Sequence, residues 1–412
     1  FGTANEMLDF RLGYTNLNQK GIIPGNELNR NTVSINTGAQ LTDKVKARAS
    51  INYVRTEGIG RPRQGSNDPN LVVSQVNGLP RTLDTELLRN NVIDENGGAI
   101  GVNGNNTSNN PFWVVQNNPL NNRVERMYGN VQLDYDPTDW LNIMGRIGTD
   151  FFDETRRSII RKGTLNRLNG EFDDRTIFQR QVNSDVIATV TKDVTSKIGF
   201  RGLVGWNVNQ IINERTRVRA SDLSADNLYV YPNANATTPE NFSNIRRLYG
   251  VYTDIQFDYD NFFFVNFTAR NDWSSTLPEE NNSFFYPGVS TSFIFTDALG
   301  ISNNILSYGK LRASWANVGS DENPYQLAFT YTPEPDLFTQ FVADNTYPHG
   351  GQLAFAATNT IPPGNSLLPQ NQSTFEIGTE LQLFDGRVGI DFTYYNTLTS
   401  DQIISVAIPQ ST

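Results

Sequence analysis

The residues that could perform catalytic or metal chemistry are few in this sequence. It has no cysteine and one histidine, His349, which lies in a segment without a recognisable nucleophile pattern. The carboxylates Glu279-Glu280 and Asp173-Asp174 are adjacent in the chain, a poor geometry for the acid and base of a glycosidase. We therefore predict that the protein is not an enzyme and has no metal site and no cofactor.

Aromatic residues in segments rich in Asn, Gly and Pro are the candidates for ligand contact. A ring face can stack on a sugar, and it can equally pack a loop or contact a partner protein. We retain both interpretations for the following residues: Trp113, Tyr229, Tyr231, Tyr325 and Tyr331.

Polar and apolar residues alternate along many segments, the pattern of β-strands with two different faces. In residues 126–135, for example, Arg126 and Asp134 lie on the face opposite Val131 and Leu133. The same alternation occurs in residues 32–41, 44–55, 140–151, 182–191, 198–210, 249–259, 263–270, 287–295, 310–318, 375–383 and 388–395, and more weakly in 8–14. Many of these segments have about ten residues, enough to span the apolar band of a membrane barrel when tilted.

Short and long connections alternate between these segments. The short ones lie at residues 42–43, 136–139, 192–196, 260–261, 297–307 and 385–386, and the long ones at 56–125, 154–180, 211–247, 271–286 and 319–372. A soluble β-sandwich is the alternative, but it has no reason to keep this rhythm. We predict an all-β fold, a transmembrane antiparallel β-barrel of the bacterial outer membrane with its long loops extracellular.

The polar face of the predicted strands carries charges of both signs. An ion-selective pore tends to place one sign at its constriction, whereas mixed charges suit a lumen filled by another folded surface. For any single residue a solvated wall is the alternative. The candidates for a face toward a plug are Arg48, Arg126, Asp134, Arg146, Asp150, Asp254, Asp258, Arg270, Arg312, Glu376 and Glu380.

The strand count and the composition bound the prediction further. About thirteen strands is an odd number, whereas bacterial single-chain barrels close with an even one. We therefore expect a fragment of a barrel of about 22 strands, the plugged class. The chain opens on Phe1 rather than Met, so we expect either a fragment or a processed product. The net charge of −10 does not indicate the basic surface that a nucleic-acid-binding protein needs. No apolar run approaches the roughly 20 residues of a transmembrane helix.

Several local motifs resemble one known family. They include residues 270–278 (RNDWSSTLP), 282–290 (NSFFYPGVS), 309–319 (GKLRASWANVG) and 376–381 (EIGTEL), with weaker matches at 16–30 and 387–404. Together they resemble the barrel of SusC/RagA-type TonB-dependent outer-membrane transporters, across essentially the whole chain. The resemblance implies that residues 1–412 are part of one TonB-dependent-receptor β-barrel domain, with the plug domain and the closing strands absent from this chain.

The resemblance also implies a function. Such proteins import a large nutrient (an oligosaccharide, a glycan or a peptide) with a SusD-like lipoprotein as lid and the TonB-ExbB-ExbD complex as energy source. The wall would contact outer-membrane lipid, and the loop aromatics would contact substrate or lid. Because the chain contains no TonB box, a second hypothesis stays open: a SusC-like barrel that is a structural or binding component of a surface protein machine for secretion or adhesion.

Overall fold

The computed structural model describes residues 2–4, 7–63, 71–102, 108–301, 303–325, 331–333, 352, 355–357 and 367–404. The fold is all-β, as predicted: 68% of the described residues lie in strands and 8% in helices. The described residues form two compact units. One comprises Phe1–Asp134, Arg146–Asn183 and Gln210–Ile245, and the other Tyr135–Gly145, Ser184–Asn209 and Arg246–Thr412.

The strands follow one another in the sheet almost in chain order. They are β1 (Gly2–Ala4), β2 (Leu8–Lys20), β3 (Glu27–Thr42), β4 (Val45–Ile59), β5 (Leu120–Thr138), β6 (Leu141–Ile160), β7 (Glu171–Thr195), β8 (Ile198–Leu223), β9 (Ala234–Tyr259), β10 (Phe263–Ser274), β11 (Ser283–Ile294), β12 (Leu306–Ser320), β13 (Tyr331–Pro333), β14 (Phe355–Ala357), β15 (Gln370–Leu383) and β16 (Val388–Ser400). Fourteen of them form one antiparallel sheet, ordered β1 to β12, then β15 and β16. The small pair β13–β14 lies in the connection between β12 and β15.

The apolar faces of the strands are exposed rather than buried in a core. On β5, Val131 and Leu133 are 46% and 50% exposed, whereas Asp134 is 8% exposed. A soluble sheet buries the opposite face, because water solvates its polar side chains. This inverted pattern is typical of a membrane barrel, whose outer face meets lipid.

The apolar side chains of these faces form a band of limited height. On β4 the face runs from Val45 to Tyr53 before Arg55 interrupts it, and on β6 from Leu141 to Phe151 before Asp153. Nine to eleven tilted residues span roughly 25 Å, the height of a barrel's lipid-facing zone. We call these side chains the apolar band. Among the described residues, no helix is long and apolar enough to cross a membrane.

Three strands continue far beyond the apolar band. β7 has 25 residues, and β8 and β9 have 26 each. β10 pairs with β9 only between Leu248 and Tyr259, so the earlier residues of β9 project past it. These extensions correct the predicted long connections, which were too wide: the strands instead leave residues 60–119, 161–170, 224–233, 275–282 and 321–369 between them.

The boundary errors share one physical reason. Beyond the apolar band both faces of a strand are polar, so hydrophobic alternation disappears although the backbone ladder continues. β2 likewise continues to Lys20, past the end of the predicted segment 8–14. β3 begins at Glu27, before the start of the predicted segment 32–41. The predicted turn at 297–307 overlaps a short helix, α4 (Phe295–Ala298). The longest connection between β4 and β5 contains three further helices: α1 (Val72–Asn77), α2 (Thr85–Asn90) and α3 (Pro111–Asn117).

The hairpin between β9 and β10 shows how the chain makes a short turn. Asp260 and Asn261 have positive φ angles of 52° and 58°, the left-handed pair of a type I′ turn. Asn and Asp tolerate this conformation better than other residues with a Cβ atom. The turn twists in the same sense as its strands, which keeps β9 and β10 in register along their shared length.

An arginine placed in the apolar band is expected to destabilise the full-length protein in lipid. Val131→Arg should lower the free energy of unfolding in vesicles by about 2–4 kcal/mol, because the charge must enter hydrocarbon. Asn130→Arg, one residue away on the polar face, should change it by less than about 1 kcal/mol. Urea titration of both variants, followed by tryptophan fluorescence, measures the difference. Equal losses would contradict the assignment of the two faces.

Candidate functional site: the polar face and the structured connections

Cross-strand ion pairs line the polar face of the first unit. Arg126 on β5 donates to Asp150 on β6, with Nε 2.8 Å from Oδ1. Arg48 on β4 lies 3.4 Å from the carboxylate of Asp134 on β5. Gln132 also donates to Asp134, at 2.9 Å. The alternation of the strands thus places these predicted residues on one face and within pairing distance.

A longer hydrogen-bonded chain crosses the polar face of the second unit. Asn207 on β8 donates to Asp185 on β7 at 2.8 Å and accepts from Arg270 on β10 at 3.3 Å. The Arg270 guanidinium also donates to Asp272 at 2.9 Å and lies 5.3 Å from the ring centre of Tyr252. Asp272 is only 3% exposed, and the Tyr286 hydroxyl donates to it as well.

The polar face of β12 and its neighbours carries a third group of pairs. Arg312 donates to Asp391 at 2.6 Å, and Lys310 lies 3.7 Å from Glu380. Lys310, Arg312 and Glu376 border a depression of about 550 Å³ in this face. The rest of the lining includes Ser290 and Gly378 as well as the larger Gln256 and Phe264. The depression is a place where a polar group of a ligand or of another folded surface can enter the wall.

The remaining predicted polar-face residues lie in β6 and β9. Asp254 accepts from Asn266 at 3.1 Å. Asp258 lies over Gly199, where an added Cβ atom would be 2.1 Å from the carboxylate, so a larger residue there would force the Asp258 side chain to move. Arg146 lies on β6, four residues from Asp150 and on the same face. That these residues meet a plug remains a prediction.

The pairing of charges between strands determines which molecules the polar face can bind. Neighbouring strands neutralise most of the predicted charges, so the face does not present a ring of one sign for ion selection. It offers guanidinium donors, carboxylate acceptors and hydroxyls at close spacing. Such a surface forms hydrogen bonds with polar, largely neutral or zwitterionic molecules.

Trp113 lies inside the connection between β4 and β5. It belongs to α3 and is 0% exposed, packed in a small core with Val92 and Leu165. Its indole Nε1 donates to Thr164 at 2.9 Å, and Arg161 lies 5.4 Å from its ring centre. Contact with a substrate or lid does not fit this burial. The other interpretation of this residue, packing of the loop, describes its position.

Tyr229 and Tyr231 converge on Phe172, a residue that sequence analysis did not single out. Their ring centres lie 6.3 Å and 5.3 Å from that of Phe172, which is 0% exposed. The Tyr231 hydroxyl donates to Asp174 at 2.9 Å, and Arg157 donates to the same carboxylate at 2.6 Å. Burial works against the charged carboxylate, but the hydrogen bonds from Arg157 and Tyr231 outweigh it and lower the pKa of Asp174.

The other two candidate aromatics are exposed. Tyr325 is 62% exposed at a positive φ angle of 69°, and Tyr331 in β13 is 64% exposed. They are available for contact, and their role remains a prediction.

His349 lies outside the described residues. Within the described ranges there is no group of three or more His, Cys, Asp or Glu residues that could hold a metal ion.

Asp321, which sequence analysis missed, anchors the connection between β12 and β15. Its side chain is 4% exposed and pairs with Arg246 at the end of β9's extension. Thr276 donates to it at 3.0 Å, and Ser274 donates to it as well. Burial opposes the charge, but the bonds from Arg246 and Ser274 prevail and hold the pKa of Asp321 below its ordinary value.

The other end of that connection is fixed to the same neighbour. Leu367 packs with Leu277 and Phe284 in a buried apolar cluster, and Asn281 donates to its carbonyl at 3.4 Å. The motif at 270–278 therefore supplies residues that hold both ends of the connection. Ser274, Thr276 and Leu277 of this motif stand out in the sequence. Their partners, Asp321 and Leu367, could not be identified from it, because they lie far away in the chain.

The fold and its polar face define the class, a wall of a transmembrane β-barrel. Residues 60–412 match the family described as TonB dependent receptor-like, beta-barrel, and the chain belongs to that family. Barrels of this family lie in the outer membrane. The resemblance found in the sequence motifs is confirmed. The family consists of receptors and transporters rather than enzymes.

Known proteins extend this comparison. The TonB-dependent receptor P26 of Formosa agariphila is 21% identical over 429 residues, which cover 99% of this chain and 40% of that protein. The RagAB peptide transporter aligns at a TM-score of 0.81 and 17% identity, over 99% of this chain and 44% of that one. The siderophore receptor PirA of Acinetobacter baumannii aligns at 0.53 and 12% identity, over 96% and 48%. The chain thus spans less than half the length of these proteins.

Removing the Trp113 side chain is expected to loosen the connection between β4 and β5. Trp113→Ala leaves a cavity in a small core and should cost about 3–5 kcal/mol of local stability. Limited proteolysis of the full-length protein should then cut within residues 61–119 at a much higher rate. Tyr325→Ala, which removes an exposed ring, serves as the control and should leave the cleavage pattern unchanged. Unchanged cleavage in Trp113→Ala would refute a packing role.

Neutralising Asp321 is expected to release the connection between β12 and β15. Asp321→Asn should cost about 1–3 kcal/mol of local stability, because Arg246 loses its charged partner. Proteolysis within residues 321–369 at neutral pH measures the release, and Glu322→Gln is the matched control for loss of a carboxylate at this place.

The lowered pKa of Asp321 fixes the sign of the pH dependence. Its contribution is fully present above the unfolded pKa and is lost as the pH falls through the lower folded pKa. Protection of the wild-type connection should therefore hold at neutral pH and fail only under strong acid. Asp321→Asn should show no such transition, and a transition shared by both proteins would rule out Asp321 as its source.

Proposed function

We propose that this chain forms part of the wall of a TonB-dependent importer for a large nutrient: an oligosaccharide, a glycan or a peptide. The observation that carries the proposal is the polar face. Its charges are paired between strands, as in Arg126 with Asp150 and Arg312 with Asp391. A face of this kind forms many weak hydrogen bonds with a long polar molecule without holding one ion tightly.

The comparisons support the same proposal. The family is that of TonB-dependent receptors, and the RagAB protein, whose fold this chain shares over 99% of its length, is described as a peptide transporter. By extension, the whole protein works with a SusD-like lipoprotein and is energised by the TonB-ExbB-ExbD complex. The long connections face the cell exterior, the polar face meets a plug, and the protein performs no catalysis.

Growth on oligomeric nutrients tests the proposal. Deletion of the full-length gene is expected to abolish growth on at least one oligosaccharide, glycan or peptide supplied as sole carbon or nitrogen source, while growth on its monomers continues. Complementation with the full-length gene should restore growth. Complementation with a copy lacking the TonB-interacting segment should fail, because import would no longer be energised.

Co-purification of the tagged full-length protein separates import from the structural alternative. An importer should retain one surface lipoprotein in stoichiometric amount. Normal growth of the deletion strain on every polymer tested, together with recovery of secretion or adhesion subunits in place of a lipoprotein, would overturn the proposal and favour a component of a surface machine.

A further inference from the structure

An unassigned depression of about 450 Å³ lies across β4, β5, β6 and β7. The side chains that matter for its chemistry are Glu57, Arg123, Thr155, Arg157, Asp174 and Thr176. Each strand alternates its side chains, so Glu57 shares the face of Tyr53, Arg123 that of Met127, and Thr155 that of Phe151. The depression therefore opens on the face of the apolar band, immediately beyond the end of that band.

Two exposed guanidinium groups border the depression. The side chains of Arg123 and Arg157 are 50% and 49% exposed. Arg157 is held in place by Asp174, through Nε and Nη2, and lies 5.4 Å from the ring centre of Phe172. This arrangement leaves the donors of its Nη1 for a ligand. A preorganised arginine of this kind binds phosphate oxygens at little cost in side-chain entropy.

The rest of the lining suits a sugar better than a bare anion. The carboxylates of Glu57 and Asp174 accept hydrogen bonds from hydroxyl groups and would repel a simple anion. The short side chains of Thr155 and Thr176 provide the room between the charged groups. The Tyr231 ring, 41% exposed and bonded to Asp174, adds an aromatic surface beside the site.

We propose that this depression binds the phosphate-bearing sugar headgroup of a glycolipid in the outer leaflet of the membrane. A ligand with apolar chains and an anionic, hydroxylated head fits both neighbouring surfaces at once. Its chains lie on the apolar band, and its head enters the depression directly beyond. This inference rests on the membrane orientation given with the proposed function, and it assigns to the site a lipid rather than the transported nutrient.

Glycolipid retention by the purified full-length protein tests the proposal. Arg123→Gln combined with Arg157→Gln is expected to reduce the lipopolysaccharide retained per protein by about tenfold or more, since each charged hydrogen bond is worth roughly that factor. Reconstitution into phosphatidylethanolamine vesicles should raise the Tm further when lipopolysaccharide is included, and the double variant should lose this increase. Arg387→Gln, which removes an exposed arginine from the turn between β15 and β16, is the matched control and should behave as wild type.

A second variant keeps both charges and fills the space. Thr155→Tyr should also abolish the increase in Tm, because the ring occupies the depression; resistance to unfolding in SDS at room temperature verifies that each variant is folded. Undiminished retention by both variants would overturn the proposal. So would equal stabilisation by phosphatidylglycerol vesicles, which offer negative charge without the sugar, or recovery of a protein bound at this face instead of lipid. None of these measurements depends on transport, so they separate this proposal from the proposed function.

Discussion

The constraint on which this structure depends is the absence of hydrogen-bond partners in hydrocarbon. Each backbone N–H and C=O within the apolar band must find its partner on a neighbouring strand, because an unsatisfied group there costs several kcal/mol. Continuous ladders such as β3 with β4, from Glu27 to Gln40, meet this requirement. Once the backbone is satisfied in this way, each side chain needs only to match the medium that its face meets.

The apolar residues accordingly stabilise two different kinds of structure. Within the band, residues such as Val131 and Leu133 are exposed and match lipid. Beyond the band, in the connections and at the start of β7, Trp113, Phe172 and Leu277 are buried in small cores that follow the rules of soluble proteins. These cores hold the connections in defined positions, which a binding surface requires if it is to recognise a ligand without first ordering a loop.

Sequence reasoning predicted the parts of the fold that alternate in polarity and missed those that do not. The strand face of Arg126 and Asp134 could be predicted because Val131 and Leu133 lie opposite. Much of the β8 extension could not be, because Arg215, Arg217 and Arg219 alternate with only two small apolar residues, Val218 and Ala220, too few to mark a strand. Its arginines alternate regularly, which was the available signal.

Only part of the candidate site could be predicted from the sequence. The polar-face charges follow from strand parity alone, so their positions could be read from the sequence. Asp321 and Phe172 could not be found, because their roles depend on Arg246 in β9 and on Tyr229 and Tyr231 in the connection after β8. A tertiary contact between a connection and a distant strand end has no periodicity, and a single sequence does not record it.

The cross-strand ion pairs also bear on how the wall assembles. A slip of one residue between two strands turns every side chain to the wrong medium and is strongly excluded. A slip of two residues keeps each side chain on its own face, so the match to lipid does not discriminate against it. It does separate Arg126 from Asp150 and Arg312 from Asp391. These ion pairs therefore favour one register of the strands among those that are equally compatible with the lipid.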